Sequence, residues 1–219
     1  NPSDEHVTLD CLKDIAIEKC GFFLKPYARY DYLLNLPEQE DIATAIRTAM
    51  TSIENSKPEL AGSLPQAEYD RFNRSDKGEV NQAQRLIPKQ LLRLFNDIPL
   101  DATGDVFGQI YEYFLANFAL TEGQGGGEFF TPRSVVRLMV EIIEPHGGKV
   151  FDPACGSGGM FVQSAEFIQQ HRQDAAADLD VYVYGTEKTL ETVKLARMNL
   201  AVNGLRGETE TLDKMRARV

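Results

Sequence analysis

Residues 151–159 read FDPACGSGG, in which the acid Asp152 is followed by the three glycines Gly156, Gly158 and Gly159. The apolar residues before Asp152 predict a β-strand that ends at the acid, and MFVQSAEFIQQH predicts a helix that begins near Met160. Glycines let a backbone turn sharply and approach a ligand closely, and a helix N-terminus attracts negative groups. The pattern therefore predicts a ligand site at the carboxyl end of this strand.

The acid before the glycines bears on the class of ligand. A dinucleotide site carries GxGxxG and binds a pyrophosphate, but the chain has no such motif, and Asp152 would repel phosphate groups. A carboxylate can instead pair with an ammonium group. S-adenosylmethionine carries an ammonium, a sulfonium and a carboxylate that helix N–H groups can bind. The residues favour S-adenosylmethionine, and a nicotinamide-dependent oxidoreductase is the alternative class.

A second acid, Glu187, ends the apolar stretch VYVYGTE, which predicts another strand. In a parallel α/β fold an acid at this position accepts hydrogen bonds from ribose hydroxyls. Glu187 lies 28 residues beyond Gly159, more than the roughly 20 residues of a dinucleotide site, and QQHRQDAAADLD is predicted to be the extra loop. A carboxylate that merely ends a strand is the alternative, but the glycine loop in register favours the ligand role.

A third segment, GEFFTPRSVV, joins a glycine to two phenylalanines and a predicted helix start. Thr131 is predicted to be the N-cap of that helix, and Pro132 its first residue. Such a loop could lay an aromatic ring against an adenine or a methionine moiety while the helix start binds a carboxylate. A packed hinge explains the same residues equally well, so the pattern alone leaves both interpretations open.

The elements before these motifs are predicted to be helical. EQEDIATAIRTAMTSIEN spaces its apolar residues three and four apart, and GDVFGQIYEYFLANFAL predicts a further helix with an aromatic stripe. One face of the first helix would contain Ile42, Ala45, Ile46, Ala49 and Ile53. Four glycines within residues 123–127 indicate a joint. We therefore predict a helical domain over residues 1–122 and an α/β domain over residues 123–219.

Within the α/β domain two strands alternate with two helices, which predicts a parallel sheet. The second of these helices, TLETVKLARMNLAVNG, would bury one face and be capped by Asn203 and Gly204. The predicted buried face contains Leu190, Val193, Ala196 and Leu200. A sheet of two strands is small and would leave much of its apolar surface exposed. We therefore expect the α/β fold to be incomplete in this chain.

Composition narrows the class of protein. The chain has 23 basic and 33 acidic residues, a net charge of −10, which counts against autonomous DNA binding but not against DNA chemistry with another subunit or a basic patch. Cys11, Cys20 and Cys155 form no paired motif, which favours a reducing, cytoplasmic compartment and no bound metal. No apolar run approaches the roughly 20 residues of a membrane span, and the N-terminus lacks the pattern of a signal peptide.

Taken together, the segments GEFFTPRSVVRLMVEIIEP, GGKVFDPACGSGGMFVQSAEFI and VYGTEKTLETVKLARMNLAVNG closely resemble the modification subunit of type I restriction–modification systems. RYDYLLN, IATAIRTAMTSIE, LIPKQLLRLFNDI and GDVFGQIYEYFLANFA are similar to the helical domain of that family. The resemblance implies a helical domain followed by a Rossmann-like, S-adenosylmethionine-dependent methyltransferase domain that acts on adenine N6 of DNA.

The resemblance also implies which residues contact the cofactor. They belong to the loop before the helix, to the glycine loop and to the ribose-binding acid, and they are Glu128, Phe129, Phe130, Thr131, Pro132, Arg133, Asp152, Pro153, Gly156, Ser157, Gly158, Gly159 and Glu187. Cys155 within the glycine loop is interpreted as a small packing residue, because methyl transfer to N6 needs no thiolate.

The chain departs from the family in one motif. Amino-methyltransferases carry Asn-Pro-Pro-aromatic after the fourth strand, where the Asn orients the target amino group and the aromatic stacks on the flipped base; the 219 residues contain no such sequence. No catalytic residue is therefore assigned. We expect omitted segments to explain the difference, with a catalytically incomplete fragment that acts as a cofactor-binding or assembly module as the alternative.

The resemblance further implies the partners of the chain. They are double-stranded DNA, a specificity subunit that reads the DNA, a restriction subunit that cleaves it, and a second modification subunit in the same complex.

Overall fold

The computed structural model describes residues 13–17, 23–72, 82–96, 131–171 and 181–218. The chain divides into two units, Asn1–Ala102 and Thr103–Val219. The predicted domain boundary at residue 122 and the predicted helix over residues 104–120 lie outside the described residues, so both stay predictions. No described helix is long and apolar enough to cross a membrane.

The described part of the first unit consists of helices and turns. Residues 13–17 are helical. The α-helices that follow are α1 (Tyr30–Asn35), α2 (Ile42–Ser56), α3 (Gln82–Arg85) and α4 (Ile87–Asn96), with 3-10 turns at Pro26–Ala28, Pro58–Leu60 and Gln66–Phe72. Pro88 is the second residue of α4, in the first turn, where its missing N–H removes no hydrogen bond within the helix.

The buried face of α2 follows the predicted spacing. Ile42, Ile46 and Ala49 are buried and pack with Ala28 and Leu33 in one apolar cluster. The other two predicted members of that face, Ala45 and Ile53, are half-buried at its margin.

The second unit alternates helices and strands. Its elements are α5 (Arg133–Ile143), β1 (Gly148–Asp152), α6 (Gly159–His171), β2 (Val181–Glu187), α7 (Leu190–Val202), β3 (Arg206–Thr211) and α8 (Leu212–Arg216). The three strands are parallel in the order β1-β2-β3, with Asp152 opposite Gly185 and Gly185 opposite Thr209. The predicted parallel α/β fold is therefore confirmed.

The prediction of a sheet with only two strands is wrong, because Arg206–Thr211 forms a third. Its sequence RGETET has no apolar side chain, so periodicity gives no signal for a strand there. Charged side chains are usual on edge strands, where they discourage pairing with other chains. The short helix Leu212–Arg216 follows, capped by the Thr211 hydroxyl, which accepts the N–H of Lys214.

The core of the second unit lies between the sheet and helices α6 and α7. Phe161, Val183 and Ala196 have essentially no exposed surface and pack in one cluster with their neighbours. Leu190, predicted to share the buried face of α7, is instead 49% exposed, because it is the first helical residue and lies at the end of the packed face. On the other side of the sheet, Phe151 is 58% exposed.

Candidate functional site

The two predicted acids both contact the glycine loop that joins β1 to α6. Asp152 ends β1, and its Oδ1 accepts a hydrogen bond from the N–H of Ala154 at 3.0 Å. Glu187 ends β2, and its Oε2 accepts a hydrogen bond from the N–H of Gly156 at 2.9 Å. The structure therefore brings together side chains that stand 35 positions apart, at the carboxyl ends of two adjacent strands.

Two glycines of the loop adopt left-handed backbone conformations. Gly156 has φ of +54° and Gly158 has φ of +86°, a region that disfavours residues with a Cβ. Gly159 then begins α6, in which the N–H groups of Phe161 and Val162 donate to the Gly158 carbonyl. The N–H groups of Gly159 and Met160 are therefore the ones that the helix itself does not bond. The loop thus ends at the positive end of a 13-residue helix.

Cys155 fixes the middle of the loop against β2. Its side chain is buried, and its N–H donates to the carbonyl of Thr186 at 2.9 Å. A Cβ at Gly185 would lie 2.7 Å from the Cys155 Sγ, so the strand has a glycine where the loop crosses it. Burial, followed by the charges of Asp152 and Glu187, raises the pKa of the Cys155 thiol to about 12. A neutral, buried thiol fits the interpretation of Cys155 as a packing residue.

Two polar side chains that the sequence did not single out also contact this loop. The hydroxyl of Thr186 donates to the carbonyl of Pro153 at 2.6 Å. The Nδ2 of Asn199, on α7, donates to the carbonyl of Ser157 at 2.9 Å. Both residues lie in segments quoted above for the family resemblance, but periodicity and spacing could not reveal these contacts, since each joins segments more than 30 residues apart.

Helix α5 begins one residue later than the sequence predicts. Pro132 is the N-cap of α5 and Arg133 its first residue, so Thr131 is not the cap. The reason is that Pro132 has an extended ψ of 138°, which excludes it from the helix. Arg133 contacts the carboxylate of Glu166 on α6 at 3.2 Å.

The remaining predicted residues of this segment, Glu128, Phe129 and Phe130, lie outside the described residues. Thr131, Pro132 and Arg133 are exposed. A cavity of about 160 Å³ lies between α5 and α6, and of these three residues Arg133 lines it. None of its lining residues belongs to the glycine loop. The candidate site is therefore identified by the carboxylates at the loop and not by a cavity.

Histidine, cysteine, aspartate and glutamate side chains do not gather into a group of three that could hold a metal ion anywhere in the described part of the chain.

The parallel sheet and the acid–glycine loop define an α/β protein whose candidate ligand site lies at the carboxyl ends of β1 and β2. Comparison with known proteins agrees: the model of the family described as N-6 DNA Methylase matches residues 102–215. The chain belongs to this family.

The curated proteins most similar in sequence include methylase subunits of type I restriction enzymes. The type I restriction enzyme MjaIX methylase subunit of Methanocaldococcus jannaschii is 32% identical over 224 residues, which cover 95% of this chain and 37% of that protein. The type I restriction enzyme HindI methylase subunit of Haemophilus influenzae is 48% identical over 101 residues, 46% of this chain and 22% of that protein. The resemblance to type I modification subunits is confirmed, and the chain spans between about a fifth and two fifths of these relatives.

A solved structure shows the same fold. The type I restriction–modification system methyltransferase subunit from Streptococcus thermophilus matches with a TM-score of 0.73 at 20% identity, over 97% of this chain and 45% of that chain.

Proposed function

We propose that this chain is the cofactor-binding part of an adenine-N6 DNA methyltransferase subunit of a type I restriction–modification complex, with S-adenosylmethionine as the methyl donor. The observation that carries the proposal is the meeting of Asp152 and Glu187 at one glycine loop, in a chain of the N-6 DNA Methylase family.

The groups at the loop suit S-adenosylmethionine better than a dinucleotide. Two carboxylates at the start and side of the loop disfavour a pyrophosphate and favour a ligand with cationic and hydroxyl groups. The Glu187 carboxylate accepts the N–H of Gly156 at Oε2 and the N–H of Lys188 at Oε1. Each carboxylate oxygen can accept a second hydrogen bond, so Glu187 can also accept from ribose hydroxyls. The N–H groups of Gly159 and Met160 at the start of α6 can bind a carboxylate. A ligand with an ammonium, a ribose and a carboxylate matches this set.

Each element of the site would then have a separate task. Asp152 would pair with the ammonium group, Glu187 would orient the ribose, and Gly156, Gly158 and Gly159 would allow close approach of the backbone. Pro153 and Ser157 would complete the loop. Residues 128–133 would form the opposite wall, and Arg133, now paired with Glu166, would belong to it. When bound, S-adenosylmethionine supplies an electrophilic methyl group on its sulfonium.

The wider assignment rests on the family. We infer that residues 1–122 form a helical domain and that the intact protein works in the cytoplasm, with double-stranded DNA, a specificity subunit, a restriction subunit and a second modification subunit. The acceptor side of the reaction is not assigned to residues of this chain, since its sequence has no Asn-Pro-Pro-aromatic motif.

Transfer of a labelled methyl group tests the proposal. The intact subunit, with its specificity subunit, is expected to move label from S-adenosylmethionine to adenine N6 in duplex DNA, and Glu187→Ala is expected to reduce cofactor binding at least tenfold. Cofactor binding without any transfer would favour the assembly-module alternative. Binding of NAD in place of S-adenosylmethionine would overturn the proposed cofactor.

A further inference from the structure

The glycine loop of residues 153–158 is held at both ends by side chains from outside it. Thr186 of β2 donates its hydroxyl proton to the Pro153 carbonyl at 2.6 Å, at the start of the loop. Asn199 of α7 donates from Nδ2 to the Ser157 carbonyl at 2.9 Å, near its end. Thr186 is 3% exposed and Asn199 is 5% exposed, so water does not compete for either hydrogen bond.

Both side chains are themselves fixed. The Nδ2 of Asn203 donates to the Oδ1 of Asn199 at 3.0 Å, which leaves the Nδ2 of Asn199 directed at the loop. The backbone carbonyl of Thr186 accepts the N–H of Cys155 at 2.9 Å, so Thr186 contacts the loop through its main chain and its side chain. These contacts are arranged to restrain a particular loop conformation.

A loop of this composition needs such restraint. Glycines lose more conformational entropy on ordering than other residues, and Gly156 and Gly158 leave the loop free to adopt other conformations. A loop that must be ordered by its ligand binds that ligand more weakly than one that is ordered beforehand. Restraint from neighbouring elements therefore raises affinity without any contact to the ligand.

We propose that Thr186 and Asn199 are positioning residues that pre-order the glycine loop for its ligand. The inference rests on the proposed function for the identity of that ligand, S-adenosylmethionine. Thr186 immediately precedes Glu187, so one strand end would fix both the loop and the acid that faces the ribose. Asn199 extends the same restraint to the side of the loop that leads into α6.

Variants at Thr186 test the inference with little change in shape. Thr186→Val removes the hydroxyl and keeps the volume, whereas Thr186→Ser keeps the hydroxyl. A matched control is Thr209→Val on β3: Thr209 is 3% exposed, and its hydroxyl has no hydrogen-bond partner in the described part of the chain. Asn199→Leu tests the second contact independently.

Two measurements on the folded chain read out the effect. Hydrogen exchange without ligand is expected to accelerate at the amides of residues 154–158 in Thr186→Val and Asn199→Leu, while the strands keep their protection. Calorimetry with S-adenosylmethionine is expected to show about tenfold weaker binding for both variants, the loss of one net hydrogen bond. Thr186→Ser is expected to bind within about twofold of the unchanged chain, and Thr209→Val to match it in both measurements.

The outcomes separate the two proposals. If the unchanged chain fails to bind S-adenosylmethionine, the proposed function falls, and the exchange data alone decide whether Thr186 and Asn199 order the loop. If Thr186→Val leaves both the loop exchange and the affinity unchanged, the positioning role is wrong. Faster exchange throughout the sheet, with no excess in the loop, would show a purely structural role and would also overturn it.

Discussion

At the scale of single residues, the two carboxylates beside the glycine loop restrict the class of ligand more than the shape of the loop does. Asp152 and Glu187 each use one carboxylate oxygen on a loop amide, at 3.0 and 2.9 Å, and so shape the loop and make it acidic at once. Cys155 between them cannot take a reactive role, because burial and these two charges favour its neutral thiol.

Alkylation tests this view of Cys155. At pH 8 the folded chain is expected to leave Cys155 unmodified by iodoacetamide, since a thiol with a pKa of about 12 is almost wholly protonated and buried. The urea-unfolded chain is expected to react there readily. Peptide mass spectrometry distinguishes Cys155 from Cys11 and Cys20. Equal reactivity in the folded and unfolded chains would contradict the described burial.

The same pKa predicts the direction of a pH effect on stability. The folded pKa of about 12 lies above the ordinary 9.0, so the unfolded chain releases the proton first. The contribution of Cys155 to the free energy of unfolding is therefore complete below about pH 9 and declines as the pH rises toward 12. Urea titrations of the unchanged chain and Cys155→Ala should differ in their pH dependence over that interval.

At the scale of elements, the site depends on close contact between the loop and β2. Cys155 packs directly against Gly185 of β2. A Cβ added at Gly185 would lie 2.7 Å from the Cys155 Sγ and 3.0 Å from the Cys155 Cβ. The contact joins the loop to β2, the central strand of the three described, so a larger side chain at Gly185 would displace the loop of the candidate ligand site.

Gly185→Ala is expected to lower the free energy of unfolding by about 2 kcal/mol, because the added methyl group overpacks this contact. Urea denaturation measures the loss. Combining it with Cys155→Ala is expected to recover part of that loss, since the sulfur that meets the new methyl group is gone. Additive effects of the two substitutions would show that the contact is not where the structure has it.

In the first unit, a buried lysine of α4 contacts the C-terminal end of α1. Lys89 of α4 is 3% exposed, and its Nζ donates to the carbonyls of Leu34 and Leu36, the latter at 2.6 Å. These carbonyls lie at the C-terminal end of α1, where a helix leaves carbonyls without partners and favours a positive charge.

Lys89→Met is expected to destabilise the first unit by about 2 kcal/mol or more, because the carbonyls stay buried without a donor. Thermal unfolding followed by circular dichroism measures the change, and Lys13→Met, at an exposed position, is the matched control. An unchanged melting temperature for Lys89→Met would exclude the capping role.

The elements also show where sequence patterns suffice. Strands β1 and β2 and helices α6 and α7 were predictable, since their apolar spacing reports burial directly. Strand β3 was not, because RGETET has no apolar side chains whose spacing could indicate a strand. Asp152 and Glu187 were found through their positions at strand ends, whereas Thr186 and Asn199 act through contacts 33 and 42 positions away, which no local pattern encodes.

At the scale of the whole molecule, the net charge of −10 shapes what the chain can do alone. Nucleic acid binding relies on cationic side chains that displace counterions from phosphates. On the proposed function, the acidic charge of the chain therefore fits a methyltransferase whose DNA contacts come largely from a partner subunit.

Fluorescence anisotropy with a labelled DNA duplex tests whether the DNA contacts come from a partner subunit. The chain alone is expected to show no saturable binding at micromolar concentration in about 0.15 M salt, while the intact subunit with its specificity subunit binds. Tight, salt-sensitive binding by the chain alone would place the DNA contacts within these 219 residues.

Calorimetry tests most directly whether Asp152, Glu187 and the glycine loop form a binding site for S-adenosylmethionine. The folded chain is expected to bind S-adenosylmethionine at one site, and Asp152→Ala and Glu187→Ala are each expected to weaken binding at least tenfold, with Glu191→Ala, an exposed acid of α7, as the control. Unchanged affinity in both site variants would contradict the account.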